Sequence, residues 1–357
     1  MALSGFTRIA GITALLLIIA VATTSMNNAF VDPGNLTNLM RWVGMLGILA
    51  LGVAFVIITG GIDLSIGSVV ALTGIVLMFL LNETMMNPWM AVALTLLVGA
   101  GIGLLHGVLI GYCNLQPFIV TLCGLMGYRG IARLVSGDQP LSITDAGLAN
   151  LTFLANGTPY VFGKPISIPL PFVEMVAPSG SGAFIGWVIV PTPMLILLGL
   201  AVFSAVLLHK TVAGRYLLAM GRNEEAARFS GINTKNMTVL AYVLCSVLAA
   251  VGGVLFALYN NTVQPTSHGN FYELYAIAAA VLGGCSLRGG VGSITGVVIG
   301  AAVMRTLLNA INLLGLNAYW EYIIIGGVLL LGVMIDEVGR QVVNRIKTQR
   351  RKKMLSG

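Results

Sequence analysis

Long apolar runs recur from one end of the chain to the other, separated by short polar breaks. Runs such as Ile9 to Ala22 and Val188 to Leu208 lack the apolar–polar alternation of lipid-facing barrel strands, so they predict helices. In order, the predicted helices cover Ile9 to Ala22, Trp42 to Thr59, Ser65 to Leu81 and Pro88 to Cys113, and a fifth, after a break at Asn114 to Phe118, ends near Val135. After a long polar interval come Pro191 to Leu208, Met237 to Tyr259, Phe271 to Gly284, Val291 to Leu314 and Tyr319 to Met334. The pattern predicts an all-α, polytopic membrane protein of about ten transmembrane helices with both termini cytoplasmic. The chain reads as one transmembrane domain, 1–357, with three polar interruptions: an external loop at 136–190, a cytoplasmic loop at 210–236 and a basic tail at 338–357. Short strands or surface helices are expected around Tyr160 to Val176. The polar stretch Asn260 to Asn270 reads as an external loop. The first apolar run follows Arg8 and has the length of a signal peptide, but no clean small-residue cleavage site follows it, so it reads as a retained helix.

Composition sharpens this. The chain is 57% hydrophobic and 9% charged, with a mean hydropathy of +0.95, which excludes a pair of soluble domains. The net charge of +7 is not a nucleic-acid footprint, because its cations sit in two clusters. Lys210, Arg215, Arg222, Arg228 and Lys235 occupy one loop, and Arg340, Arg345, Lys347 and Arg350 to Lys353 occupy the tail. The positive-inside rule places both in the cytoplasm. The four cysteines, Cys113, Cys123, Cys245 and Cys285, fall in apolar segments without metal spacing and read as buried structural residues.

One break is unlike the rest. Gly60-Gly61-Ile62-Asp63-Leu64-Ser65-Ile66-Gly67-Ser68 puts glycines, serines and a carboxylate between two apolar helices. Asp63 at mid-membrane would cost about 2.5–3.5 kcal/mol on insertion scales. Two readings stand: a surface turn in which Asp63 caps the following helix, or irregular backbone at depth, which survives only buried in protein or lining a watery cavity. A loose echo follows at Gly284 to Ser293. Each break precedes an apolar helix with a Thr-Gly pair, Thr73-Gly74 and Thr295-Gly296.

Other positions carry weaker signals. Gly99, Gly103, Gly107 and Gly111 form a four-residue stripe that reads as helix packing. His106, beside it, reads as a buried histidine satisfied by a neighbouring helix. Arg129 and Arg133, one turn apart, either pair with carboxylates or face solvent, and Arg305 is intramembrane beside Asn309. No phosphate-binding loop appears, since Gly163-Lys164 runs into Pro165, and neither HExxH nor GxSxG is present. Uphill transport would therefore draw on an ion gradient or on another subunit.

The basic loop bears on that choice. Asn223 is a plausible N-cap, Glu224 and Glu225 suit the positive end of a helix dipole, and Gly231 suits a helix terminus. This predicts a helix of about two turns, too short to stand alone and suited to rest against something.

The motifs Gly60 to Ser68, Gln116-Pro117-Phe118-Ile119-Val120-Thr121-Leu122, Gly221-Arg222-Asn223 to Ser230-Gly231-Ile232, and Leu282-Gly283-Gly284 to Gly296 resemble the ribose/simple-sugar permeases of bacterial ABC importers. The resemblance runs from about Asn35 to Val333. It implies a multi-pass protein of the bacterial inner membrane that forms a permease homodimer or heterodimer. It also implies a cytoplasmic ATP-binding subunit holding ATP and Mg, and a periplasmic or extracellular sugar-binding protein. This chain itself would be non-catalytic, with no cofactor or metal of its own and no nucleic-acid partner. The resemblance makes Asp63, Ser65, Gly67, Ser68, Gln116 and Phe118 candidates for the translocation path or its hinge. It makes Gly221, Asn223, Glu224, Ala226, Ala227, Ser230 and Gly231 the ATPase-coupling residues. The external loop Ser136 to Ile189 is longer than in many relatives. Two alternatives remain: a permease for nucleosides or branched-chain amino acids, and an ion-coupled secondary transporter using Asp63, His106 and Arg305.

Overall fold

The computed structural model describes residues 2–84, 86–143, 149–161, 164–169, 187–317, 319–328, 330 and 334. Among them, eight helices are long and apolar enough to cross a membrane. These are α1 (Ala2–Met26), α2 (Pro33–Ile58), α3 (Ile66–Glu83), α4 (Pro88–Gly111), α5 (Pro117–Val135), α7 (Thr192–Lys210), α10 (Thr234–Asn260) and α12 (Ile294–Leu313). Between them lie α6 (Ala149–Asn156), the consecutive pair α8 (Val212–Arg222) and α9 (Glu224–Phe229), and α11 (Tyr272–Leu282). A final helix, α13, covers 319–328. The protein is an all-α, polytopic membrane protein. The basic tail at 338–357 lies outside the described residues.

The helix ends follow local chemistry. Asp32 accepts from the Gly34 and Asn35 amides ahead of Pro33 at the start of α2, and Asn87 accepts from Trp89 ahead of Pro88 in α4. An acceptor on the cap and a proline in the first turn together satisfy or remove amides that would otherwise lack partners. In the long loop between α5 and α7, Tyr160–Val161 pairs with Lys164–Pro165, and Ser167–Pro169 pairs with Trp187–Ile189. The expectation of short strands holds as far as Pro169, and 170–186 lies outside the described residues.

α2 is the central pole. Every residue from Val43 to Ile58 is buried, as a helix apolar on all sides requires. Against it and α3 packs α10, which also takes the glycine face of α4. A Cβ at Gly99 would meet Ser246 and Ala250, one at Gly103 would meet Tyr242 and Val243, and one at Gly111 would meet Lys235. The two helices run antiparallel, and their backbones approach to van der Waals contact, which replaces the missing hydrophobic drive inside lipid. The outward face of α4 and α5, with Leu97, Leu104, Met126 and Leu134, is exposed, as surfaces bathed in lipid are.

Two segments depart from the sequence reading. The stretch after α10 does not stay outside. Its strand Thr262–Val263 pairs with Leu141–Ser142. Val263 packs on Gly74 of α3, and further along Gly269 packs on Gly67 and Val70. Between Gly74 and Gly67 the chain thus descends α3 by seven residues, about 10 Å. α11, expected as a full span over Phe271 to Gly284, consequently starts inside and has 11 residues. At 1.5 Å per residue it covers about 16 Å, half of a bilayer core. The polar residues after Asn260 line a re-entrant segment, which composition alone cannot tell from a surface loop.

Several polar groups find partners on neighbouring elements. Asn35 and Asn309 exchange amide hydrogen bonds between α2 and α12, and the Arg305 guanidinium stacks 4.3 Å over the Trp42 ring. Arg133 makes a bidentate pair with Asp138 just beyond α5, and those hydrogen bonds hold the Asp138 carboxyl below its ordinary range. Arg129 instead donates to the backbone carbonyls of Pro265 and His268. Among the cysteines, Cys245 and Cys285 are buried, but Cys113 and Cys123 are exposed, because they fall on the bare faces of α4's end and α5.

Candidate functional site

The Gly60 to Ser68 break is buried at depth. Asp63 is 1% exposed and Ser65 is fully buried. The Asp63 carboxylate accepts from the Ser65 amide at 2.8 Å and from the Ser65 hydroxyl at 2.6 Å, an Asx turn that stops short of capping α3. Ser65 itself occupies the cap position without a side-chain cap bond. The surface-cap reading of Asp63 is therefore corrected: the carboxylate stiffens an extended connection inside the protein. Its depth follows from α10. The Tyr242 hydroxyl donates to the Ile62 carbonyl, and Tyr242 lies eight residues, about 12 Å, beyond the start of that helix.

Three elements converge on this connection. From α5, Thr121 donates to the Ile62 carbonyl at 3.4 Å, and the Gly124 carbonyl accepts from Ser68 at 3.4 Å. From α4, His106 meets the Tyr128 hydroxyl at 2.8 Å, satisfied by a neighbouring helix as expected. The Cys245 thiol faces the Asp63 carboxylate from α10. Gly67 sits where the inward-rising and outward-descending irregular segments meet. A Cβ there would strike the Glu273 carboxylate and the Gly269 carbonyl. Asp63, Ser65, Gly67 and Ser68 are thus brought together, but Gln116 and Phe118 are not. Gln116 is exposed and Phe118 is 52% exposed, turned away from the junction on the outer side of α5. Thr121 and Gly124, in the middle of the buried stripe that Phe118 flanks, make the contacts instead. The sequence motif around Gln116 contained Thr121, but no periodicity marked which side faced in.

The basic loop at 210–236 folds as its caps dictate. Asn223 accepts from the Ala226 amide at 2.9 Å, with Glu224 and Glu225 in the first turn. The helix ends as Ile232 N–H bonds the Ala227 carbonyl and Gly231 takes φ +84°, a conformation that favours glycine. Ala227 is buried, and Ser230 donates back to the Ala226 carbonyl. Phe229, beside them, is 83% exposed, the most exposed large apolar side chain among the described residues.

This loop touches both echoing breaks at once. The Gly290 amide donates to the Ile58 carbonyl at 2.8 Å, joining the Gly284–Ser293 turn to the end of α2. Gly221 lies on that hydrogen bond, and a Cβ there would collide with the Ile58 oxygen and the Gly290 nitrogen. Arg222 donates to the Gly290 carbonyl at 3.3 Å, while a Cβ on Gly289 would press on Gly221 and Gly60. Sequence reasoning found both breaks and the loop but missed that they form one contact. Glycines in all three segments were the signal, since backbone-to-backbone packing needs them. No group of His, Cys, Asp or Glu suited to a metal occurs among the described residues.

Comparison with known proteins accords with this architecture. Residues 35–333 match the family model described as branched-chain amino acid transport system/permease component. The chain is 36% identical to the ribose import permease of Escherichia coli (strain K12), covering 90% of this chain and 91% of the relative. It is likewise 36% identical to the ribose import permease of Bacillus subtilis (strain 168), over 90% of each. The xylose transport system permease of Escherichia coli (strain K12) is 31% identical over 94% of this chain and 92% of the relative. No solved structure matches the chain. The chain belongs to this transport-system permease family, the one that holds the ribose and xylose permeases.

Proposed function

We propose that this chain is the membrane permease subunit of an ATP-driven importer of a monosaccharide such as ribose or a related simple sugar. The observation that carries the reading is its similarity, over nine-tenths of its length, to ribose permeases from two different bacteria. The chain works in the bacterial inner membrane as a homodimer or heterodimer. A cytoplasmic subunit binds ATP and Mg, and an external binding protein delivers the sugar. Hydrolysis belongs to the ATPase, so the permease needs no catalytic residue.

The chain's own part is mechanical. Phe229 and the capped turn before it are the surface offered to the ATPase. A push there moves α8, and Gly221 passes it to Ile58 and Gly290 through backbone contacts that leave no slack. The Ile58 end of α2 continues directly into Gly60 to Ser65, where the Asx turn keeps the connection from absorbing the displacement. Gly67, against Gly269 and Glu273, is the junction between cytoplasmic and external halves. Separation of those segments opens the path.

The test is reconstitution with its ATPase and binding protein in proteoliposomes. Labelled ribose or xylose should accumulate only with ATP supplied on the ATPase side. Accumulation by the permease alone under an ion gradient would overturn the proposal in favour of a secondary transporter.

A further inference from the structure

Above the Gly67–Gly269 junction, on the external side, the re-entrant segment borders an open cavity of about 350 Å³. Its wall includes Asn260, Gln264, Ser267, His268, Asn270 and Tyr272. We propose that this cavity is a transit site for the sugar, where a neutral monosaccharide rests between release from the binding protein and passage through the junction. The inference rests on the import reading above and adds to it a place and a chemistry.

The wall chemistry selects the class. Every side-chain polar group in it is a neutral amide, hydroxyl or imidazole, with no carboxylate, ammonium or guanidinium among the lining residues. An amino acid zwitterion would leave both of its charges unpaired there, at a heavy desolvation cost. A polyol instead needs many neutral groups that donate and accept, which amides and hydroxyls provide. At about 30 Å³ per water-sized unit the volume holds roughly twelve such units, enough for a pentose or hexose. The Tyr272 ring adds a flat apolar face of the kind that the C–H side of a sugar covers.

The wall is also held open and left partly unsatisfied. Arg129 of α5 anchors the segment through the Pro265 and His268 carbonyls, so its carbonyls are tied away from the cavity. Gln264 accepts from Ser267, which fixes the amide and leaves its N–H groups to donate. Asn270 and Gln264 are exposed to the external side, so a solute arriving there reaches them directly.

The experiment uses the complete importer in proteoliposomes, reading labelled ribose and xylose uptake against ATP hydrolysed. Asn270→Leu and Gln264→Leu keep side-chain size while removing hydroxyl partners. Each is expected to lower sugar moved per ATP by about ten-fold, the worth of one lost hydrogen-bond partner, with hydrolysis rate and complex assembly unchanged. Wild-type ratios in both variants would overturn the transit site while leaving the import reading intact. Equal loss of uptake and hydrolysis in both would also overturn it, by assigning the segment a structural role. Absence of ribose and xylose uptake by the wild-type complex would instead overturn the import reading itself.

Discussion

Replacing Gly221 with alanine tests the transmission path at its tightest point. The added Cβ would lie well under 3.0 Å from both the Ile58 carbonyl oxygen and the Gly290 amide nitrogen. Non-bonded carbon contacts settle at about 3.5 Å or more, so α8 must withdraw or the Ile58–Gly290 pair must part. Parting stretches a 2.8 Å hydrogen bond past the range where it counts as one. Overpacking of this kind costs about 1–3 kcal/mol, and the lost hydrogen bond adds about 1 kcal/mol. The expected destabilisation is therefore about 2–4 kcal/mol, carried by backbone atoms that have no rotamer to yield. Gly101→Ala is the matched control, because nothing lies within 4 Å of a Cβ there. In proteoliposomes holding the complete importer, Gly221→Ala should melt earlier and move less sugar per ATP hydrolysed, while Gly101→Ala behaves as wild type. Full uptake by Gly221→Ala, with an unchanged melting temperature, would refute the contact as the transmitting element.

Other substitutions separate the parts. Phe229→Ala should leave melting unchanged to within about 0.5 kcal/mol, as exposed positions do, yet weaken ATPase binding by ten-fold or more in a titration, as loss of an aromatic anchor does. Glu224→Lys should reduce ATP-coupled uptake with membrane insertion intact, since it reverses a charge at the helix N-terminus, and undiminished uptake would discount the coupling role. Ser65→Ala removes the 2.6 Å hydroxyl bond to Asp63 and should cost about 1–3 kcal/mol in thermal unfolding. Arg129→Met keeps the aliphatic stem but frees the Pro265 and His268 carbonyls, so amide exchange across 264–271 should quicken while α4 and α10 stay protected.

What the sequence disclosed depended on whether its pattern had one physical meaning. The glycine stripe of α4 did: four-residue spacing in an apolar helix can only mark one face, and that face meets α10. The Asn223 and Gly231 caps were equally direct, because each residue satisfies a need local to its own helix end. The Gly60–Ser68 break announced itself by its polarity but left depth open, and only packing against Tyr242, Thr121 and Gly124 decided it. The segment after Asn260 misled for a related reason. A run of Asn, Gln, Ser and His suits water, whether that water is outside the membrane or in a cavity within it. Gln116 and Phe118 were placed at the junction because they share a motif with residues that reach it. Thr121 lies in the middle of the face that α3 covers, whereas Phe118, one turn earlier, lies at its uncovered flank, a difference the motif does not mark.

The central claim is that this permease imports sugar at the expense of ATP hydrolysed by a partner, through the contact from Phe229 to the Asp63 turn. The most direct measurement is uptake of labelled ribose and xylose by cells making the complete importer, with ATP depleted in one arm and the proton gradient collapsed in the other. Uptake that stops without ATP and persists through the uncoupler is the predicted result. Uptake that stops with the gradient while ATP is maintained would contradict it, and would make Asp63 and His106 ion-coupling groups.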